Sequence, residues 1–262
     1  MPPHHPHLLR AVPILLLCLA GGAVIGDAAA DTVHVAVAAN FRSTQERLAR
    51  GFEAKTGHSL VASSGSTGKL YAQIVNGAPF ELFLAADEER PAQLVEHGFA
   101  VRGTAFTYAL GSLVLYSAKG IDLIDGPTAL REGRFQRLAI ANPEAAPYGR
   151  AAIETIRHFG LAEALSSKIV RGENVAQAFQ FVSSGSADFA FVPASMVRDV
   201  GSKRVWPVPF ELYSPIRQNG VLLEVGAQKS AARDYLRFLA GNEGRTLIAE
   251  EGYGLPGAEE GP

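Results

Sequence analysis

A unit that recurs from Asp31 onward constrains this chain most: a short apolar run, a loop of small and polar residues, then an amphipathic run. Residues 33–37 (Val33-His34-Val35-Ala36-Val37) lead through Ala38-Ala39-Asn40 into Phe41, Leu48 and Phe52, which recur at helical spacing up to a stop at Gly57. Residues 59–62 repeat the strand, and Leu70, Ile74 and Val75 repeat the buried helix stripe before Gly77. Residues 81–85 and 91–97 form the third pair. Strands alternating with helices through connections this short predict an open α/β architecture with mostly parallel sheets. In such a sheet each helix starts off the carboxyl end of a strand, and that edge is where ligands bind.

A second set begins near Tyr108. Residues 113–116 and 137–141 read as strands, and 148–159 as a helix entered through Asn142-Pro143-Glu144-Ala145-Ala146-Pro147. Lys168-Ile169-Val170 leads to a cap at Asn174 and a helix carrying Val175, Phe179 and Val182 on one face, and residues 188–192 form a strand broken by Pro193. Residues 219–225 then make one more strand, followed only by helices over 230–240 and 242–250, too little for a third core. The simplest organisation is a discontinuous first lobe (31–108 with 214–262) and an inserted second lobe (109–213). Two chain crossings then act as a hinge, with the ligand in the cleft between the lobes.

Residues 1–30 stand apart. Arg10 precedes an apolar run with Pro13, Gly21 and Gly22 that is short for a membrane span, and Ala28-Ala29-Ala30 closes it, so the segment reads as a secretory signal peptide. The chain's one cysteine, Cys18, lies inside that run behind Leu16 and Leu17 rather than at a lipoprotein cleavage site, so the exported protein is expected to be cysteine-free. At 262 residues, 47% hydrophobic and 19% charged, the remainder reads as globular, and a net charge of −2 offers no basic field for nucleic acid.

The densest candidate for chemistry is Ser63-Ser64-Gly65-Ser66-Thr67-Gly68, which joins a strand to a helix with hydroxyls, two glycines and no carboxylate. Such a loop suits an anion, because the first N–H groups of a helix lack intrahelical partners and carry the positive end of its dipole. The same residue types also serve as an ordinary cap and turn. The segment from Gly65 to Lys69 is not a nucleotide-binding P-loop: two residues rather than four separate the glycines, and Leu70 follows the lysine. No Gly-x-Ser-x-Gly motif is present, and His34, His58, His97 and His158 form neither a paired metal motif nor a nucleophile partnership. A hydrolase or transferase is therefore disfavoured and no enzyme activity is expected. Asn40, Tyr148 and Val175 mark three further helix starts that could converge with Ser66 and Thr67.

The segments Ala38-Ala39-Asn40-Phe41, Ser63-Ser64-Gly65-Ser66-Thr67-Gly68, 71–79, Ala85-Ala86-Asp87, Ala146-Pro147-Tyr148-Gly149 and Gly185-Ser186-Ala187-Asp188 together resemble the periplasmic molybdate-binding proteins of ABC transporters. The resemblance runs from about Val33 to Glu251-Gly252-Tyr253. It implies a type II periplasmic binding protein, a two-lobe α/β fold that holds a tetrahedral oxyanion in its cleft by hydroxyl, amide and backbone donors. Carried onto this chain, the ligand-binding residues would be Ala39, Asn40, Ser66 or Thr67, Tyr148 and the Val175 backbone. Asn40 stands where much of the family has Ser, and Thr67 where Ser is common.

The resemblance further implies a periplasmic monomer that passes molybdate, with tungstate, to a membrane permease. It implies no cofactor, no direct metal-ion ligands beyond the oxyanion itself, and no nucleic-acid partner. Both ligands are fully deprotonated dianions near neutral pH, so a donor-only site suits them and a carboxylate would not. Sulfate has the same charge and shape, and remains the alternative ligand. Arg42, Lys69 and Arg150 read as rim charges.

Overall fold

The computed structural model describes residues 1, 30–121, 123 and 125–257. The leader read at 1–30 lies, apart from its two end residues, outside the described residues. The chain begins with β1 (Thr32–Ala38), a 3-10 turn (Ala39–Phe41), α1 (Arg42–Thr56), β2 (Ser59–Gly65), α2 (Thr67–Val75), β3 (Leu82–Leu84), α3 (Glu89–Glu96) and β4 (Phe106–Gly111). It continues with β5 (Leu113–Tyr116), α4 (Gly126–Glu132), β6 (Leu138–Ala141), α5 (Pro147–His158), α6 (Ala162–Leu165), β7 (Ile169–Gly172), α7 (Val175–Ser183), β8 (Phe189–Pro193) and β9 (Val205–Pro207). It returns through β10 (Ile216–Leu222), α8 (Ser230–Ala240) and α9 (Asn242–Glu250).

Two five-stranded sheets result, ordered β2-β1-β3-β10-β4 and β7-β6-β8-β5-β9. Each is covered by helices on both faces, as the two-residue side-chain period requires of strands that are apolar throughout. In β1, Val33, Val35 and Val37 pack with Leu48 and Phe52 of α1 and with Tyr235 and Leu239 of α8. Ala36 faces the other way, toward Leu70 and Ile74 of α2. The second sheet repeats the logic: Leu138 and Ile140 of β6 join Ile156 of α5, while Ala139 joins Ala178 and Val182 of α7. This is the two-lobe α/β type II fold.

The structure departs from the sequence expectation in three places. The sheets are mixed rather than mostly parallel: β10 runs antiparallel between β3 and β4, and β5 runs antiparallel to β8 and β9. The reason is connectivity, because a strand reached by crossing between sheets enters from the opposite end. Strand β4 runs to Gly111, so the expected division at 108/109 falls inside a strand of the first sheet. Ser43 and Glu46 have the three-residue spacing of a helix-capping box, yet Ser43 is already inside α1 because the 3-10 turn leads straight into that helix, and no side-chain cap bond forms there. The chain passes between the sheets at Ser112 and again between β9 and β10. The two passages are tied where Leu113 N–H donates to the Tyr213 hydroxyl at 3.1 Å.

Candidate functional site

Strand register brings the helix starts level. Ala38 of β1 lies opposite Gly65 of β2, so the 3-10 turn with Ala39 and Asn40 sits beside Ser66 and Thr67, which open α2. In the second sheet Ala141 lies opposite Gly172, setting Pro147 and Tyr148 of α5 beside Asn174 and Val175 of α7. The two edges then meet face to face. Gly68 N–H donates to Ala145 O at 2.9 Å, and α7 packs against the 3-10 turn. Ala38, Ala39 and Ala86 share one buried cluster with Ala141, Ala146, Tyr148 and Val175. None of Ala39, Asn40, Ser66, Thr67, Tyr148 and Val175 is more than 6% exposed, so the cleft is shut over them.

Two glycines permit this approach. A Cβ on Gly149 would stand 2.3 Å from Ala141 O, so only glycine lets the first turn of α5 lie on the end of β6. A Cβ on Gly68 would stand 3.1 Å from both Ala145 Cα and Arg90 Nη2.

The polar groups are unequal in what they have left to offer. Ser66 is 3% exposed, and its Oγ has no hydrogen-bond partner among the described residues. Thr67 Oγ1 accepts from Ala86 N–H at 3.1 Å and keeps its own proton to donate. The Tyr148 hydroxyl accepts from Gln218 Nε2 at 3.2 Å and likewise retains a proton. Asn40 differs: its Nδ2 donates to Gln218 Oε1 at 2.8 Å and to the Tyr253 hydroxyl at 3.3 Å, so both amide protons are engaged within the protein. Val175 supplies no polar side chain, and its helix is capped by Asn174 Oδ1, which accepts from Gln177 N–H at 3.1 Å.

Electrostatics favour donors throughout. Burial pushes the Tyr148 phenol well above its ordinary pKa and that of Tyr253 up to about 12, so both stay protonated near neutral pH. The rim cations are paired: Lys69 with Glu173 at 3.0 Å, Arg150 with Glu89 at 3.4 Å, Arg42 with Glu46 at 3.1 Å. Asp87, which follows the seam residue Ala86, is a buried carboxylate. Its pKa is raised by burial against the opposing pull of Arg90, its ion-pair partner. Arg90 Nη2 also reaches across to Glu144 O at 3.1 Å. Among the described residues no three His, Cys, Asp or Glu side chains gather as a metal site.

Gln218, Tyr108 and Tyr253 were not singled out from sequence. Gln218 is fully buried on β10 and bonds to both walls, while Tyr108 donates to Ala85 O at 3.0 Å and lies 3.3 Å from Gln218 Oε1. A glutamine between Arg217 and Asn219 carries no periodic signal. The only hint was the Glu251-Gly252-Tyr253 tail.

Comparison with known proteins agrees with this architecture. The family model described as bacterial extracellular solute-binding protein matches residues 33–254. The molybdate-binding protein ModA of Azotobacter vinelandii is 45% identical over 92% of this chain and 97% of its own length. The molybdate-binding protein ModA of Rhodobacter capsulatus is 43% identical over 95% and 97%. Among solved structures, the periplasmic molybdate-binding protein of Azotobacter vinelandii superposes with a TM-score of 0.81 at 38% identity, covering 86% of this chain and 99% of that one. The chain belongs to the family of bacterial extracellular solute-binding proteins, in the group that contains these molybdate-binding relatives.

Proposed function

We propose that this protein captures molybdate, and tungstate with it, in the seam between its two sheets, and delivers it to the membrane permease of an ABC transporter. The observation that carries the reading is the Ser66 hydroxyl, buried without a partner where four helix starts meet. A buried hydroxyl left unpaired costs about 1–3 kcal/mol, so its retention argues for a ligand that completes it. Thr67 Oγ1–H, Tyr148 Oη–H and the first backbone N–H groups of the 3-10 turn, α5 and α7 would complete a donor-only shell. Within it Asn40 acts through its backbone, since its side-chain protons are engaged.

Such a shell matches a tetrahedral dianion whose oxygens can only accept. Each helix start contributes roughly half a positive charge, offsetting the dianion without a buried lysine or arginine. Hydrogen bonds to a charged partner contribute about 1.5–3 kcal/mol each, so a few of them support tight capture. Release follows from opening at the two crossings, which breaks the Gly68 to Ala145 contact and admits water. The two sheets with their helices move as lobes, 31–111 with 216–257 against 113–207. The Azotobacter vinelandii structure, described as periplasmic, supports action outside the cytoplasm, where the protein would meet the permease as a monomer.

Calorimetric titration of residues 31–262 with molybdate, tungstate, sulfate and phosphate tests the reading. Strong heats with the first two and weak or none with phosphate are expected. Tight sulfate binding with no response to molybdate would reassign the ligand, and silence with all four would end the proposal.

A further inference from the structure

Gln218 is a fully buried side chain hydrogen-bonded to both walls of the seam, and the direction of its bonds to Asn40 and Tyr148 can be deduced. The Tyr253 hydroxyl has a single proton, and at 2.7 Å it goes to the main-chain oxygen of Asn40, an acceptor only. The Asn40 side-chain atom 3.3 Å from that hydroxyl must therefore be the donor, Nδ2. The same Nδ2 lies 2.8 Å from Gln218, so the Gln218 atom facing it must be the acceptor, Oε1. The Tyr108 hydroxyl gives its proton to Ala85 O at 3.0 Å and is only a 3.3 Å neighbour of that oxygen, so the assignment rests on Asn40 and Tyr253. The other end of the amide, 3.2 Å from Tyr148, is then Nε2, and the Tyr148 hydroxyl is obliged to accept.

We propose that Gln218 is a positioning residue that turns the Tyr148 hydroxyl proton away from the protein and toward the ligand, and thereby sets the site's preference for oxyanions that carry no proton. The inference rests on the oxyanion-capture reading above. The relay runs one way, from Asn40 Nδ2–H to Gln218, from Gln218 Nε2–H to Tyr148, and from Tyr148 O–H outward. A carboxylate at 218 would reverse its last links. It would accept from Asn40 and from Tyr148 alike, and the phenol would then present a lone pair to the ligand.

The groups facing position 218 are the Asn40 amide and the Tyr108 and Tyr148 phenols, with the Tyr253 phenol behind Asn40. The carboxylates acting on those phenols are Asp87, paired with Arg90, and Glu251, paired with Arg47 and Arg198; Arg217 next door pairs with Glu88. A glutamate at 218 would thus sit among neutral groups, where burial raises its pKa toward the neutral range.

The test is molybdate titration by calorimetry of the wild type, Gln218→Glu, Gln218→Met and Tyr148→Phe, and of each Gln218 variant combined with Tyr148→Phe, at pH 8 and pH 6. The wild type should bind with little change between the two. Gln218→Glu should bind about 100-fold more weakly at pH 8, the loss of a charged-partner hydrogen bond plus repulsion. It should recover about tenfold or more at pH 6, as the protonated carboxyl again donates to Tyr148. Gln218→Met should be weaker at both values with no such recovery, and neither substitution should matter further once Tyr148 is Phe. A pH-flat Gln218→Glu, or losses that add fully to that of Tyr148→Phe, would overturn the inference while leaving capture intact. If Gln218→Glu does not fold, the Met and Phe pair decides by the same additivity. A wild type that ignores molybdate overturns the capture reading and this inference together.

Discussion

Ser66 and Asn174 stand at the same place in the fold, the residue before a helix at the end of a parallel strand, and both belong to residue types that cap helices. Asn174 caps: its Oδ1 takes the Gln177 N–H in the first turn of α7. Ser66 makes no such bond, and its buried Oγ is left without a partner. The difference separates a side chain used to hold its own helix from one held in reserve. It also locates the proposed ligand more narrowly than the hydroxyl-rich loop does, since Ser63 and Ser64 are exposed residues of β2.

The comparison can be broken or sharpened by substitution at these helix starts. The largest effect is expected at Gly149, where a Cβ meets the Ala141 carbonyl 2.3 Å away with backbone on both sides. Gly149→Ala should cost about 3 kcal/mol and lower the melting temperature by roughly 10 °C, read by thermal denaturation monitored by circular dichroism. Next, Ser66→Ala should weaken molybdate binding about 30-fold, the value of one hydrogen bond to a charged partner. Its ligand-free melting temperature should not fall, because no bond within the protein is lost. Asn174→Ala should do the reverse, costing about 1 kcal/mol of stability as a lost cap and affecting affinity less than Ser66→Ala does. Equal effects of the two substitutions on stability would erase the distinction. The smallest effect belongs to Lys69→Ala, which removes an exposed pair with Glu173 across the seam. A change in affinity of about twofold is expected, fading as salt is added.

Much of this scaffold was legible in sequence because apolar spacing reports burial directly. The helices at Ser230–Ala240 and Asn242–Glu250 begin and end where the pattern placed them, and Asn174 was recognised as a cap. Strand direction leaves no such trace, since a buried strand reads the same whichever way it runs, and so the mixed sheets were missed. The start of β10 was missed too. Its Arg217-Gln218-Asn219 run looks like a loop because Gln218 is buried against polar partners rather than against the core. Within the site, the helix starts at Asn40, Ser66, Tyr148 and Val175 could be read locally. The relay through Gln218 and Tyr253 joins positions 178 and 213 residues apart from Asn40, a separation that only the folded chain closes. Asp188, part of a motif that carried the family resemblance, has a structural role instead. It accepts from Gln136 and Arg137 N–H and from Lys119 Nζ, bracing the turn into β6.

The central claim is that the unpartnered Ser66 hydroxyl belongs to the ligand. A crystal structure of residues 31–262 grown with molybdate tests it most directly. It should show one oxygen of the anion within hydrogen-bonding distance of Ser66 Oγ, about 2.5–3.0 Å, with Thr67 and Tyr148 donating to the same ion. An anion bound elsewhere, or a seam closed as here with Ser66 Oγ paired only to water, would contradict it.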